Sequence, residues 1–104
     1  MMRRPSDFEK IFSQGSRHSS TTMTIWIKSN QQYDSMAGFS VSKKVGNSVK
    51  RNLIRRRLKE SVKKLLPDEG WILFISAKPS IVNRTFNQIF FDLKNILKIN
   101  GVLS

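Results

Sequence analysis

Trp71-Ile72-Leu73-Phe74-Ile75 is an unbroken apolar run of strand length. A strand with one wet face alternates in polarity. A run that is apolar at every position marks a strand covered on both faces, often a parallel one. A chain of 104 residues has room for about one core. Covering both faces of a sheet in that length points to one small domain, residues 1–104, with helices packed on a sheet.

The other elements fit that frame. Ser6-Asp7-Phe8-Glu9 has the capping-box pattern, and Phe8, Ile11 and Phe12 follow at helical spacing before Gly15; this predicts a helix over about residues 7–14. Thr21 to Lys28 alternates, with Met23, Ile25 and Ile27 on one face and Thr22, Thr24, Trp26 and Lys28 on the other. Gly38 to Ser42 alternates again after a polar, turn-rich stretch over 29–37. The two runs read as an antiparallel hairpin with a longer connection. Asn47 or Ser48 can cap a helix whose apolar stripe is Ile54, Leu58, Ser61, Val62 and Leu65, ending near Leu66 before Pro67. Lys78-Pro79 closes the apolar strand. Thr85 to Gln88 offers a second capping box for a helix with Phe86, Ile89, Phe90, Leu93 and Leu97 on one stripe and Asn100-Gly101 as its stop. The expected class is a single α/β domain, an α+β sandwich.

Charge is concentrated. Lys43, Lys44, Lys50, Arg51, Arg55, Arg56, Arg57, Lys59, Lys63 and Lys64 are opposed between 43 and 64 only by Glu60, so this block holds +9 of a formal net +12. On the helix, Arg55, Lys59, Lys63 and Arg56, with Asn52, share a sector of about 100° bordering the apolar stripe. A solvated helix face usually mixes signs for i,i+4 support; like charges there repel unless a polyanion neutralises them. A membrane-surface helix needs its apolar face free, whereas this one is needed for the core. A polyanion, above all nucleic acid, is the expected partner.

Catalytic chemistry finds no seat in the chain. There is no cysteine, which removes disulfides, thiolate metal sites and cysteine nucleophiles. His18 is the lone histidine and reads as a surface residue. The seven carboxylates are scattered, without the spacing of a two-metal site. No catalytic residue, no metal ligand and no small-molecule substrate are assigned. No run approaches the roughly 20 apolar residues of a membrane span, and the N-terminus lacks a signal-peptide core; a soluble, cytoplasmic protein without membrane contact is expected. Phe8, Phe12 and Trp26 fit either the core or an exposed stacking surface, and Trp26 lies on the less apolar face of its strand.

The stretch Phe39 to Glu60, with Ser42-Lys43-Lys44-Val45-Gly46-Asn47-Ser48-Val49-Lys50-Arg51-Asn52-Leu53-Ile54-Arg55-Arg56 within it, resembles the central motif of the bacterial ribonuclease P protein component, a Ser-Lys-Lys, Gly-Asn, Arg-Asn-Arg, Lys-Arg succession. Phe8 to Gly15 is similar to that family's opening helix, and Trp71 to Pro79 to its late strand and turn. One position departs: the third residue of the Arg-Asn-Arg triplet is Leu53.

The resemblance implies an element order α-β-β-β-α-β-α, a mixed four-stranded sheet and a left-handed βαβ crossover, against the usual right-handed rule. It implies the protein subunit of a ribonucleoprotein endoribonuclease that removes the 5′ leader of precursor tRNA. Hydrolysis would reside in the RNA subunit, which would hold most of the Mg²⁺. It also implies that Lys43, Lys44, Lys50, Arg51, Asn52, Arg55, Arg56 and Lys59 face the catalytic RNA, and that Phe8, Phe12 and Trp26 line a cleft for the precursor tRNA leader. The competing readings are a ribosomal or general structured-RNA-binding protein and a DNA-binding module. Motif order separates the first; the second lacks a helix-turn-helix or zinc pattern.

Overall fold

The computed structural model describes residues 5–103; the side chains of residues 5–8 and of Gln32 lie outside the described ones. The elements are α1 (Pro5–Gln14), β1 (Ser16–Ser19), β2 (Met23–Asp34), β3 (Met36–Ser40), α2 (Ser48–Leu65), β4 (Glu69–Ala77), a 3₁₀ turn (Pro79–Asn83) and α3 (Phe86–Ile99). The strands form one sheet in the order β1-β2-β4-β3. β4 runs antiparallel to β2, with Trp26 opposite Phe74 and Ile25 opposite Ile75, and parallel to β3.

The apolar run behaves as its composition requires. Leu73 and Ile75 are fully buried in the main core, while Ile72 and Phe74 are buried in a smaller cluster with Ile11. Because side chains alternate along a strand, these two clusters lie on opposite faces of the sheet. α2 covers the first face with Ile54, Leu58 and Val62, and α3 with Ile89, Leu93, Ile96 and Leu97, against Met23, Ile25 and Ile27 of β2. α1 covers part of the second face through Ile11 and Phe12.

The hairpin expected between residues 21–28 and 38–42 does not form. β2 and β3 are both paired to β4, which lies between them. A strand apolar on both faces is best buried in mid-sheet, where neighbours satisfy both edges and helices cover both faces. β2 also continues through most of the stretch read as a connection. Its register shifts between Ser29 and Asp34, with Gln31 at φ 54°, before Asp34 pairs with Glu69. β1 was not visible from the residues, because Ser16-Arg17-His18-Ser19 is polar throughout and pairs along β2 as a short edge.

Local signals located the ends of α2 and α3 well. The Asn47 side chain accepts from the Lys50 amide at 3.0 Å and caps α2. Thr85 and Gln88 form the full capping box of α3. At its other end Gly101 adopts φ 77° and the Val102 amide donates to the Leu97 carbonyl, a Schellman closure. The expected cap at Ser6 lies outside the described side chains, and α1 already begins at Pro5. A Cβ at Gly15 would stand 2.5 Å from the Ile11 carbonyl oxygen and 3.1 Å from that of Ile27. Only glycine lets the chain turn so close to α1 and β2 at once.

A polar lock absent from the sequence reading closes one end of the sheet. Asp92 of α3 accepts from the Ser20 hydroxyl at 2.7 Å and from the Thr22 hydroxyl. Lys78, just after β4, donates to the Ser19 hydroxyl and to the Ser20 carbonyl. The β1–β2 turn is thereby tied to both α3 and β4. Among the described residues, no helix is long and apolar enough to cross a membrane.

Candidate nucleic-acid interface

The incompletely covered face of the sheet carries aromatic rings. Phe12 of α1 is 46% exposed and stands edge-on to Trp26 of β2, with centroids 4.9 Å apart, and to Phe74 of β4 at 5.1 Å. Trp26 and Phe74 are 6.0 Å apart. Edge-to-face contacts at these spacings add roughly 0.5–1.5 kcal/mol each beyond area burial and hold the rings in fixed orientation. The Arg17 guanidinium lies 5.8 Å from the Trp26 ring, close enough for a cation–π contact. Partly buried Met36 closes the floor with Ile72. The side chain of Phe8 lies outside the described residues. Phe74, Ile72 and Arg17 were not picked out from sequence. The signal for the first two was the second face of the apolar strand; for Arg17 it was pairing opposite Trp26, which only the register reveals.

The cations are carried by the β3–α2 turn and α2. Lys43 and Lys44 are exposed in a turn closed by the Val45 amide on the Ser42 carbonyl and the Gly46 amide on the Lys43 carbonyl. Lys50, Asn52, Arg56 and Lys59 are exposed; Arg51 and Arg55 are half-buried. Arg55 donates to Asn52 Oδ1 at 2.9 Å, which orients the guanidinium. Arg51 Nε is buried and meets no hydrogen-bond acceptor among the described residues. Lys59 and Lys63 line a groove of about 250 Å³ over Ala37, Phe39, Val62 and Leu66, so their stems rest on apolar surface while their ammonium groups face solvent.

Arg57 takes another task. It donates to the Arg84 carbonyl at 2.7 Å and ties α2 to the entry of α3. Leu53, which replaces the triplet's last arginine, is 38% exposed. His18 shares a 2.9 Å hydrogen bond with the Ser16 hydroxyl. Among the described residues, no three of His, Asp, Glu and Cys come together as a metal-ion site.

The sequence model of the family Ribonuclease P matches residues 1–100. The chain belongs to the ribonuclease P family. It is 32% identical over 100 residues to the ribonuclease P protein component of Clostridioides difficile strain 630, covering 93% of this chain and 88% of that relative. It is 33% identical over 104 residues to the Clostridium botulinum (strain Langeland) component, covering 97% and 94%. In three dimensions it superposes on the Staphylococcus aureus RNase P protein with a TM-score of 0.84 at 29% identity, covering 99% of this chain and 96% of that one. The α+β fold is thus that of ribonuclease P proteins. Both separated surfaces, aromatic and basic, lie within the matched residues.

Proposed function

We propose that this ribonuclease P protein binds the catalytic RNA through its basic turn and α2, holds the single-stranded leader of precursor tRNA on the Phe12–Trp26–Phe74 floor, and assists leader removal. The observation that carries this reading is the separation of the surfaces. The main core, with α2 on it, and the aromatic cluster occupy opposite sheet faces, so the two RNA elements need not compete for one site. Lys43, Lys44, Lys50, Arg51, Arg55, Arg56 and Lys59 neutralise phosphate and set register; Asn52 steers Arg55. An exposed ring such as Phe12 suits unpaired bases of varied sequence, because every base has a π-face.

No group of this chain is assigned to bond breaking. The described carboxylates do not assemble a divalent-ion site, and Asp92 Oδ2 already accepts from Ser20 and Thr22. This reading leaves Mg²⁺ to the RNA. The protein's contribution is positioning: holding leader and catalytic RNA together turns an encounter into a near-unimolecular step.

Reconstitution with a ribonuclease P RNA transcript tests the proposal. The protein alone is expected to leave precursor tRNA intact, and the mixture to cleave leader-bearing substrate faster than the RNA alone at low magnesium. Cleavage by the protein without RNA would overturn the assignment. So would co-purification with whole ribosomes in place of one structured RNA.

The two surfaces should separate under mutation. Trp26→Ala is expected to reduce preference for precursor over mature tRNA by about 5- to 150-fold, the loss of roughly one stacked base at 1–3 kcal/mol, with affinity for the catalytic RNA retained. Trp26→Phe should keep most of the preference. Arg55→Gln should weaken catalytic-RNA binding and leave the preference unchanged. Equal effects on both readouts would refute the two-surface arrangement.

A further inference from the structure

α3 carries a second aromatic surface, on the sheet face away from the Phe12–Trp26 floor. Phe86 and Phe90 are stacked, with centroids 6.0 Å apart and an interplanar angle of 27°. Phe91 stands edge-on to Phe90 at 5.8 Å and is 56% exposed. Lys64, from the last turn of α2, places its Nζ 5.3 Å from the Phe86 ring. A helix that needed only to cover the core would not require these rings, since Ile89, Leu93, Ile96 and Leu97 already do so.

The polar residues beside the rings decide what they suit. At 100° per residue, Phe90, Lys94, Asn87, Lys98 and Phe91 fall within a sector of about 100° on α3. The helix's one carboxylate, Asp92, projects from another side and is taken up by Ser20 and Thr22. In that sector Phe90 and Phe91 join Lys94 and Lys98 with no acidic residue of α3 among them, and Phe86, stacked on Phe90 at the sector's edge, brings in Lys64 of α2. A protein partner's apolar patch would gain nothing from that excess of cations. Aromatic faces among cations match a polyanion whose apolar groups stack.

We propose that this flank of α3, with Lys64 of α2, is a second binding platform for unpaired RNA, separate from the leader floor. Bases stack on Phe91 and Phe90, and Lys64, Lys94 and Lys98 follow the phosphates. Stacking without groove readout makes the platform tolerant of sequence. It would hold single-stranded RNA that the opposite face does not reach, such as a second unpaired segment of the same RNA.

A short oligouridine carrying 5-iodouridine, which photocrosslinks to aromatic side chains, tests this on the full chain. Crosslinks are expected at Phe90 or Phe91 as well as on the strand bearing Trp26. Phe91→Ala should lower the α3 crosslink about tenfold, the loss of one stacked base, while the crosslink at Trp26 stays constant and reports an intact fold. Lys94→Gln should weaken the α3 crosslink alone and make it less sensitive to salt. The proposal fails if α3 stays unlabelled at concentrations that saturate the Trp26 strand, or if Phe91→Ala lowers both crosslinks equally. It also fails if sedimentation gives a dimer that Phe91→Ala dissociates, because the flank would then be covered by a second copy of the chain.

Discussion

Raising monovalent salt from about 50 to about 200 mM is expected to weaken binding to the catalytic RNA by roughly 10³- to 10⁵-fold, the loss typical of about six to ten phosphate contacts. The candidate contacts are Lys43, Lys44, Lys50, Arg51, Arg55, Arg56 and Lys59, of which Lys43, Lys44, Lys50, Arg56 and Lys59 are exposed. Each neutralised phosphate releases condensed counterion, and the released ions drive association less as bulk salt rises. Filter binding across a salt series measures the slope directly. Lys59→Gln should make it shallower by about one contact's worth. Arg57→Gln should change it little, because Arg57 is committed to the Arg84 carbonyl. A flat dependence would show that the basic surface is not the main contact.

Leu58→Ala is expected to destabilise the domain by about 2–5 kcal/mol, the usual range for a fully buried leucine that leaves a cavity. Leu58 is 0% exposed and lies in the main core between α2 and the sheet. Against a typical total of roughly 5–15 kcal/mol, that loss brings the fold close to its limit. Urea denaturation should show a lower midpoint. Arg56→Ala, on the exposed side of the same helix, should stay within about 0.5 kcal/mol of the parent. Added catalytic RNA should recover part of the Leu58→Ala loss, since a ligand bound only by the folded state stabilises it by mass action. If RNA left the midpoint unmoved, binding would not be coupled to the folded α2 surface.

α2 explains why so much of the interface could be read in advance. Its apolar stripe, its Asn47 cap and its cations are all set by residues within a few turns of one another. Ile54, Leu58, Ser61 and Val62 are buried as their spacing requires. α3 is similar: its capping box and its Asn100-Gly101 stop are local chemistry. The strands are different. The pattern of β2 assigned its two faces correctly, with Ile25 in the main core and Trp26 among the aromatics. It could not say which strand would lie alongside.

The sequence by itself determined the class of the domain, the ends of α2 and α3, the two-sided apolar strand and the concentration of charge on one helix. These follow from periodicity and capping, which act over one to four residues. The tertiary structure decided that β4 separates β2 from β3. It also brought Phe74 up to Phe12 and Trp26, committed Arg57 to a carbonyl 27 residues away, and locked Asp92 onto the Ser20–Thr22 turn. Those pairings join residues distant in the chain. They are selected by competition for burial and hydrogen bonds across the whole sheet, a competition that no local pattern encodes.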